Sequence, residues 1–120
     1  LIKKGVLEPE IHVGNLTSAR DFIDVRDGVD AMRLVLEKGN PGEPVNICTG
    51  TAYKIQEILD MLVEISGTHA KVISDPALFR VADEPLLLGD NSKIKALGFV
   101  QKYTMYQTLE DVFSDWMDRI

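Results

Sequence analysis

Two short clusters of charged residues are the parts of this sequence best suited to bind a ligand. The first spans residues 20–27 and begins with Arg20; the second spans residues 80–85 and contains Arg80 and Asp83, three positions apart, before a proline. A guanidinium group offers a planar pair of donors to a phosphate. A carboxylate accepts two hydrogen bonds, as a vicinal diol requires. Each cluster therefore suits a phosphate next to a sugar.

Both clusters also have simpler interpretations. In the first, Arg20 with Asp24 and Arg26 with Asp30 are at the spacing of local ion pairs, which contribute about 0–1 kcal/mol when exposed. The second is compatible with an ordinary polar loop. Aspartates at positions 24, 27 and 30 lack the spacing of a calcium-binding loop. The three aspartates lie instead near the start of a predicted helix, where the helix dipole favours negative charge, so we interpret them as residues that stabilise the fold.

Other chemistries find little support in the sequence. His12 and His69 have no cysteine or carboxylate at metal-ligand spacing, and Cys48 lies in an apolar segment typical of a core residue. No Gly-x-Gly-x-x-Gly or Walker pattern occurs. We therefore predict no metal site, no catalytic residue and no bound dinucleotide in this chain.

Length and charge limit the classes of partner. A chain of 120 residues forms one domain at most, and a net charge of −6 without a basic cluster argues against nucleic acid. No run of apolar residues is long enough to span a membrane. A single cysteine is typical of a reducing compartment, so we predict a cytoplasmic protein.

The first five residues, with two lysines before Gly5, resemble the last turn of a helix, and we expect the chain to be a fragment.

The hydrophobic pattern predicts short strands alternating with helices. Strands are predicted at residues 10–13, 22–25, 45–48, 71–73 and 86–88, the last one buried. Helices are predicted from Asp27 to Gly39, from Ile55 to Gly67, over residues 92–97 and over residues 108–120. The first helix is expected to bury Val29, Met32, Val35 and Leu36. We therefore predict a small mixed α/β domain with short strands and three main helices, without an internal domain boundary.

Several segments in register resemble a known family along essentially the whole chain. They read Gly-Asn-Leu at 14–16, Arg-Asp-Phe at 20–22, Val-Arg-Asp at 25–27, Asn-Ile-Cys-Thr-Gly at 46–50, Arg-x-x-Asp-Glu-Pro at 80–85, Gly-Asp-Asn-Ser-Lys at 89–93 and Leu-Gly-Phe at 97–99. This order is similar to the carboxy-terminal, substrate-binding part of extended short-chain dehydrogenases/reductases. Within them it most resembles the group of GDP-mannose 4,6-dehydratase and GDP-4-keto-6-deoxy-mannose reductase.

The resemblance implies roles for four residues. Arg20 and Arg80 correspond to arginines that contact the nucleotide diphosphate, and Asp83 to the carboxylate that binds the nucleotide ribose. Asn15 lies in the segment that passes near the nucleotide, so it is a weaker candidate for substrate binding. The implied ligand is a nucleotide-diphosphate sugar.

The catalytic part of this family is not found in the sequence. The family places its Tyr-x-x-x-Lys pair and its NAD or NADP site in an upstream Rossmann domain, and no tyrosine here is followed by lysine four residues later. The resemblance thus implies a dehydratase or reductase whose missing Rossmann domain binds the cofactor, with residues 1–120 inactive alone. A nucleotide-sugar 4-epimerase or decarboxylase and a non-catalytic binding module remain alternatives. We also expect a homo-oligomer.

Overall fold

Short strands alternate with helices, as the sequence predicts. The computed structural model describes residues 1–80 and 84–120. Its elements, in chain order, are β1 Glu10–Val13, β2 Ala19–Asp21, α1 Val25–Lys38, β3 Ala52–Lys54, α2 Ile55–Ser66, β4 Lys71–Ser74, a 3₁₀ turn Pro76–Leu78, β5 Leu86–Leu87, α3 Ser92–Ala96 and α4 Met105–Arg119. The mixed α/β class with three main helices is therefore confirmed.

The strands form two small sheets in the described part of the chain. In the first, β1 and β4 pair in parallel, with Val13 opposite Ser74. In the second, β2 lies between β3, which is antiparallel to it, and β5, which is parallel. Arg20 lies at the centre of this second sheet, opposite Tyr53 on one side and Leu87 on the other. Both sheets join segments far apart in the sequence.

The buried core lies between α1, α3 and the segment that follows α3. Ala31 and Leu34 of α1 pack with Ile94 and Phe99, all four with exposed fractions of 6% or less. Gly28 and Ala31 are small residues on the buried side of α1. The core is therefore compact but small.

A network of charged groups fixes the start of α1. Asp24 caps the helix by accepting from the Arg26 backbone N–H at 2.8 Å, and its carboxylate also accepts from the Arg26 guanidinium. The hydroxyl of Thr108, on α4, donates to the same carboxylate at 2.7 Å, and Arg26 also pairs with Asp111. Arg26 thus pairs with Asp24 and Asp111. The Arg26–Asp30 pair suggested by the sequence spacing does not form.

The other two aspartates of this segment also bind protein groups. Asp27, which is 1% exposed, accepts from the backbone N–H groups of Lys102 and Tyr103. Asp30 pairs with Arg33 and with the Lys102 ammonium group. These contacts join α1 to the segment that leads into α4. The structural interpretation of the three aspartates therefore fits their contacts.

The apolar face predicted for α1 is wrong at three of its four positions, and only Val35 packs against the core. The helix begins at Val25, two residues before the predicted start, and Val29, Met32 and Leu36 are 60%, 57% and 87% exposed. The core instead takes Ala31 and Leu34, so the buried face of α1 is rotated from the predicted one. With Val25, which is 75% exposed, the three exposed residues form an uncovered apolar stripe.

Several strand predictions are also wrong. Residues 22–25 are not a strand, since β2 ends at Asp21, and residues 45–48 lie outside both sheets. The third strand is instead Ala52–Lys54, and α4 begins three residues before its predicted start. Both residues of β5 are 53% exposed, so this strand is not buried. Strand pairing depends on distant partners, which the local pattern does not specify.

Asp24→Asn is expected to lower the free energy of unfolding by about 1–3 kcal/mol at pH 7, the range for losing hydrogen bonds to a charged group. Asparagine still caps a helix, so the loss isolates the carboxylate charge. The Arg26 guanidinium and the Thr108 hydroxyl hold the pKa of Asp24 well below its usual value. Its stabilisation is therefore complete above the unfolded pKa of about 3.9 and declines as the pH falls below it.

Urea unfolding of both proteins at pH 7 and pH 2.5 measures this difference, which should be smaller at pH 2.5. Asp115→Asn is the control, because the Asp115–Arg119 pair is more than half exposed and should contribute less than about 1 kcal/mol. Equal losses in the two variants, or a loss that does not depend on pH, would contradict this role of Asp24.

Candidate functional site

A cleft of about 390 Å³ opens beside the turn that follows β1. One side of its wall is formed by the end of β1 and the turn after it. The other sides are formed by Ser18 and Arg20 at β2, by the first residue of α2, and by the residues around the end of the 3₁₀ turn. Asn15, Arg20 and Arg80 all line it. Three of the four residues predicted to bind substrate thus lie around one cleft, and the fourth, Asp83, lies outside the described residues.

A close backbone contact sets the width of the cleft. A Cβ atom added at Gly14 would lie 2.5 Å from the Leu78 carbonyl oxygen, so only glycine allows this approach. The contact follows from the pairing of β1 with β4, which is extended by a hydrogen bond from the Asp75 N–H to the Val13 carbonyl. The Asp75 carboxylate then accepts from Ala77 N–H and so begins the 3₁₀ turn. The parallel pair therefore brings the chain before Arg80 next to the turn after β1.

The side chain of Asn15 shapes this turn. Its amide oxygen accepts from both the N–H and the hydroxyl of Thr17, and its amide nitrogen donates to the hydroxyl of Ser18 at 3.0 Å. Ser18 is 2% exposed. Asn15 is therefore a structural part of the cleft wall as well as a candidate for ligand contact.

Arg20 connects β2 with the far end of the loop that carries Arg80. Its Nη1 atom donates to the Ala19 carbonyl at 2.8 Å and to the Glu84 carbonyl at 2.7 Å. The backbone holds the same position, because Ala19 N–H donates to the Pro85 carbonyl next to β5. Glu84 and Pro85 are thus both anchored to β2.

The next residue of β2 binds a different part of the fold. Successive side chains of a strand point to opposite faces, and Asp21 accepts from the N–H and hydroxyl of Thr49 and from the N–H of Gly50. Asn91 donates to the Thr49 carbonyl and holds the same turn from the other side. Arg20 therefore faces the cleft while Asp21 fixes the sheet behind it.

The cleft is locally cationic although the chain is acidic. Arg80 is exposed, Arg20 is half-buried, and no carboxylate lines the part of the cleft formed by the described residues. Val13, Leu16 and Ile55 contribute apolar surface. Two guanidinium groups beside an apolar wall suit an anion attached to a flat, weakly polar group.

Sequence reasoning missed the apolar wall. It predicted only that a helix begins at Ile55, and the structure shows that this residue also faces the cleft. Leu78 lies in a segment predicted as loop. The position of Ile55 at the start of α2 could have indicated this role, because the first residue of the helix lies beyond the part that packs against the neighbouring helix.

The described helix starts do not fit the phosphates of a dinucleotide cofactor, which require free backbone N–H groups. Asp24 caps α1 and Thr104 caps α4. The first N–H groups of α2 donate to the carbonyls of Ser18 and Leu16, and Glu57 accepts from the Lys54 N–H. In each helix of eight or more residues, at least one of the first backbone N–H groups therefore donates to a group of the protein itself.

Two further observations concern the described residues alone. No group of three histidine, cysteine, aspartate or glutamate side chains there is arranged to hold a metal ion. His12 and His69 are both exposed. No helix in that part of the chain has the length and apolar character needed to cross a membrane.

Comparison with known proteins gives consistent results. A sequence model of the family described as GDP-mannose 4,6 dehydratase matches residues 1–112. GDP-6-deoxy-D-mannose reductase from Pseudomonas aeruginosa is 30% identical over 120 residues, covering 99% of this chain and 40% of the relative. GDP-mannose 4,6-dehydratase from Vibrio cholerae is 28% identical, covering 94% of this chain and 38% of the relative. The chain thus spans about two fifths of the length of these relatives.

Solved structures show the same fold. The Pseudomonas aeruginosa protein RMD, solved in complex with NADPH, matches with a TM-score of 0.92 and 29% identity, covering 99% of this chain and 39% of that chain. UDP-glucose 4-epimerase from Thermotoga maritima, solved with UDP-glucose, matches with a TM-score of 0.79 and 28% identity, covering 90% and 36%.

Gly14→Ala is expected to lower the free energy of unfolding by about 1–3 kcal/mol, the range for an added methyl group without room. The new Cβ would press on the Leu78 carbonyl and widen the cleft. Gly28→Ala is the matched control, since a Cβ there meets no atom within 4 Å. Alanine in the helix should instead stabilise the protein by up to about 1 kcal/mol. Urea unfolding measures both changes, and an unchanged Gly14→Ala protein would contradict the close contact.

Proposed function

Because the chain belongs to the GDP-mannose 4,6 dehydratase family, we propose that its cleft binds the nucleotide diphosphate of a sugar substrate. The parent protein would be an NAD(P)-dependent dehydratase or reductase acting at C4 of a nucleotide-linked hexose. The observation that carries this proposal is the placement of Arg20 and Arg80 around one cleft, although 60 positions separate them in the sequence.

The charges of the cleft support this choice of ligand. Two guanidinium groups balance the two phosphate charges of a nucleotide-diphosphate sugar, and each has a planar pair of donors. Arg80 is exposed and so is accessible to the phosphates, while Arg20 binds them from a half-buried position. Asp83 would accept hydrogen bonds from the ribose hydroxyls. Asn15 acts mainly by holding the turn that forms the wall.

We assign residues 1–120 to a substrate-binding domain. Tight binding of the unreactive nucleotide contributes to catalysis because it orients the sugar and uses binding energy from a remote part of the substrate. The sequence has no Tyr-x-x-x-Lys pair. Hydride and proton transfer would therefore be carried out by a Rossmann domain elsewhere in the protein, which would also hold NAD or NADP.

Two features of the surface favour such a partner domain. The apolar stripe of α1, Val25, Val29, Met32 and Leu36, is more than half exposed at every position. Residues 45–48 follow α1 and pair with no strand in the described part of the chain. An uncovered helix next to an unpaired segment suits the edge of a sheet in a neighbouring domain. A homo-oligomer and a cytoplasmic location remain predictions from the sequence.

A second candidate is a nucleotide-sugar 4-epimerase. The likeness to the Thermotoga maritima 4-epimerase, with a TM-score of 0.79, favours it. The two candidates share the diphosphate cleft and differ in what happens to the sugar. Turnover assays of the full-length protein with GDP-mannose, with GDP-4-keto-6-deoxy-mannose plus NADPH, and with UDP-glucose distinguish them, and absence of turnover with all three would support a non-catalytic binding module.

Arg80→Ala in the full-length protein is expected to weaken binding of a GDP-sugar by about 2–4 kcal/mol, because one phosphate charge loses its partner in the closed site. Isothermal titration calorimetry measures the change. Arg33→Ala is the control: Arg33 is also exposed, but it pairs with Asp30 and Glu37 on α1 and does not line the cleft. Equal affinities of the Arg80→Ala and unmodified proteins would rule out the diphosphate role.

A further inference from the structure

One face of the second sheet continues the wall of the cleft. Ser18, just before β2, and Arg20 lie two positions apart, so their side chains point to the same side of the chain, and both line the cleft. Ile55 also lines it and donates its backbone N–H to the Ser18 carbonyl at 3.0 Å. The contact between β2 and β3 therefore continues to Ser18 and Ile55, which form one row of side chains along the cleft.

The next row of this face consists of Tyr53, Arg20 and Leu87. Tyr53 is directly opposite Arg20 in the antiparallel pair of β2 and β3, and Leu87 is its partner in the parallel pair of β2 and β5. Side chains of directly opposite residues share a face of the sheet, with Cβ atoms about 4.5–5.5 Å apart. Lys54 is extended, so Tyr53 also shares the side of Ile55, two positions later. Two independent relations thus place Tyr53 beside Arg20 at the margin of the cleft.

Of the two neighbours of Arg20 in this row, Tyr53 is the one that can bind an anion. Leu87 is apolar and 53% exposed, whereas Tyr53 is half-buried and has a hydroxyl group that can donate. No residue in the described ranges 1–80 and 84–120 forms a hydrogen bond with this hydroxyl group. A tyrosine hydroxyl that is shielded from water usually has a partner. A ligand lying against Arg20 would supply one.

We propose that the Tyr53 hydroxyl group donates a hydrogen bond to a phosphate oxygen of the nucleotide-diphosphate sugar, beside the guanidinium group of Arg20. This inference rests on the proposed function, because it requires the diphosphate to lie against Arg20. A phosphate oxygen is a suitable acceptor, since hydrogen bonds to a charged group are roughly twice as strong as those between neutral groups. The phenol also adds a donor without a third positive charge, and two guanidinium groups already balance the two phosphate charges.

The other use of an aromatic ring at this position is to stack on the base of the nucleotide. The rows of the sheet favour the phosphate. Tyr53 shares its row with the guanidinium group of Arg20, whereas the apolar side chain of Ile55 shares the row of Ser18. A contact with the base is therefore treated as an outcome of the test.

Tyr53→Phe in the full-length protein tests the inference, because it removes the hydroxyl group and retains the ring. Isothermal titration calorimetry should show an affinity for GDP about tenfold lower than that of the unmodified protein, as expected for one hydrogen bond to a charged group. Tyr106→Phe is the matched control. Tyr106 is exposed on α4 and does not line the cleft, so this variant should bind GDP as the unmodified protein does. Equal midpoints of thermal unfolding check that both variants are folded.

A titration with guanosine, followed by NMR, separates the phosphates from the nucleoside. Tyr53→Phe should leave the affinity for guanosine unchanged. An equal loss of affinity for guanosine and GDP would overturn the proposal, because the contact would then be with the nucleoside. If Arg80→Ala weakens GDP binding and Tyr53→Phe does not, the inference about Tyr53 fails and the proposed function stands. If the unmodified protein does not bind GDP, both are wrong.

Discussion

The alternation of side chains along β2 is the constraint on which the candidate site depends. Arg20 faces the cleft and binds the Glu84 carbonyl, whereas Asp21 faces the other way and binds Thr49 and Gly50. One short strand thus contacts both Glu84 and the turn before β3. A shift of one residue in its register would exchange the two side chains between the faces and lose both sets of contacts.

The acidic residues that follow β2 bind other groups of the protein and stabilise the fold. Asp24 and Asp27 bind groups on α4 and on the segment before it, so the start of α1 is tied to the end of the chain. Arg26 stacks on the Tyr103 ring, with 3.6 Å between the guanidinium carbon and the ring centre. The segment of residues 20–27, which is rich in arginine and aspartate, therefore combines one arginine at the cleft with several residues that maintain the packing.

Much of the fold could be predicted where local chemistry decides it. Gly39 and Gly67 end helices as expected, and β1 and β4 lie where their apolar residues indicate. The buried face of α1 could not be predicted, because the helix carries apolar residues on two faces and only its packing against Ile94 and Phe99 decides which face is buried. The cleft itself could be predicted only through the family resemblance. Its residues come together through the pairing of β1 with β4, a contact between segments about 60 positions apart that no local pattern encodes.

The central claim is that the cleft beside β2 recognises a nucleoside diphosphate through its phosphates. A titration of the ¹⁵N-labelled chain with GDP, followed by NMR, tests it most directly, with guanosine as the ligand that lacks phosphate. The account predicts that GDP shifts the signals of residues 13–20 and 78–80, including the Nε–H groups of Arg20 and Arg80, and that guanosine at equal concentration shifts them far less. Equal signal shifts with both ligands would contradict it. So would signal shifts confined to the surface of α2 and α4 that carries Leu59, Leu62, Phe113 and Trp116.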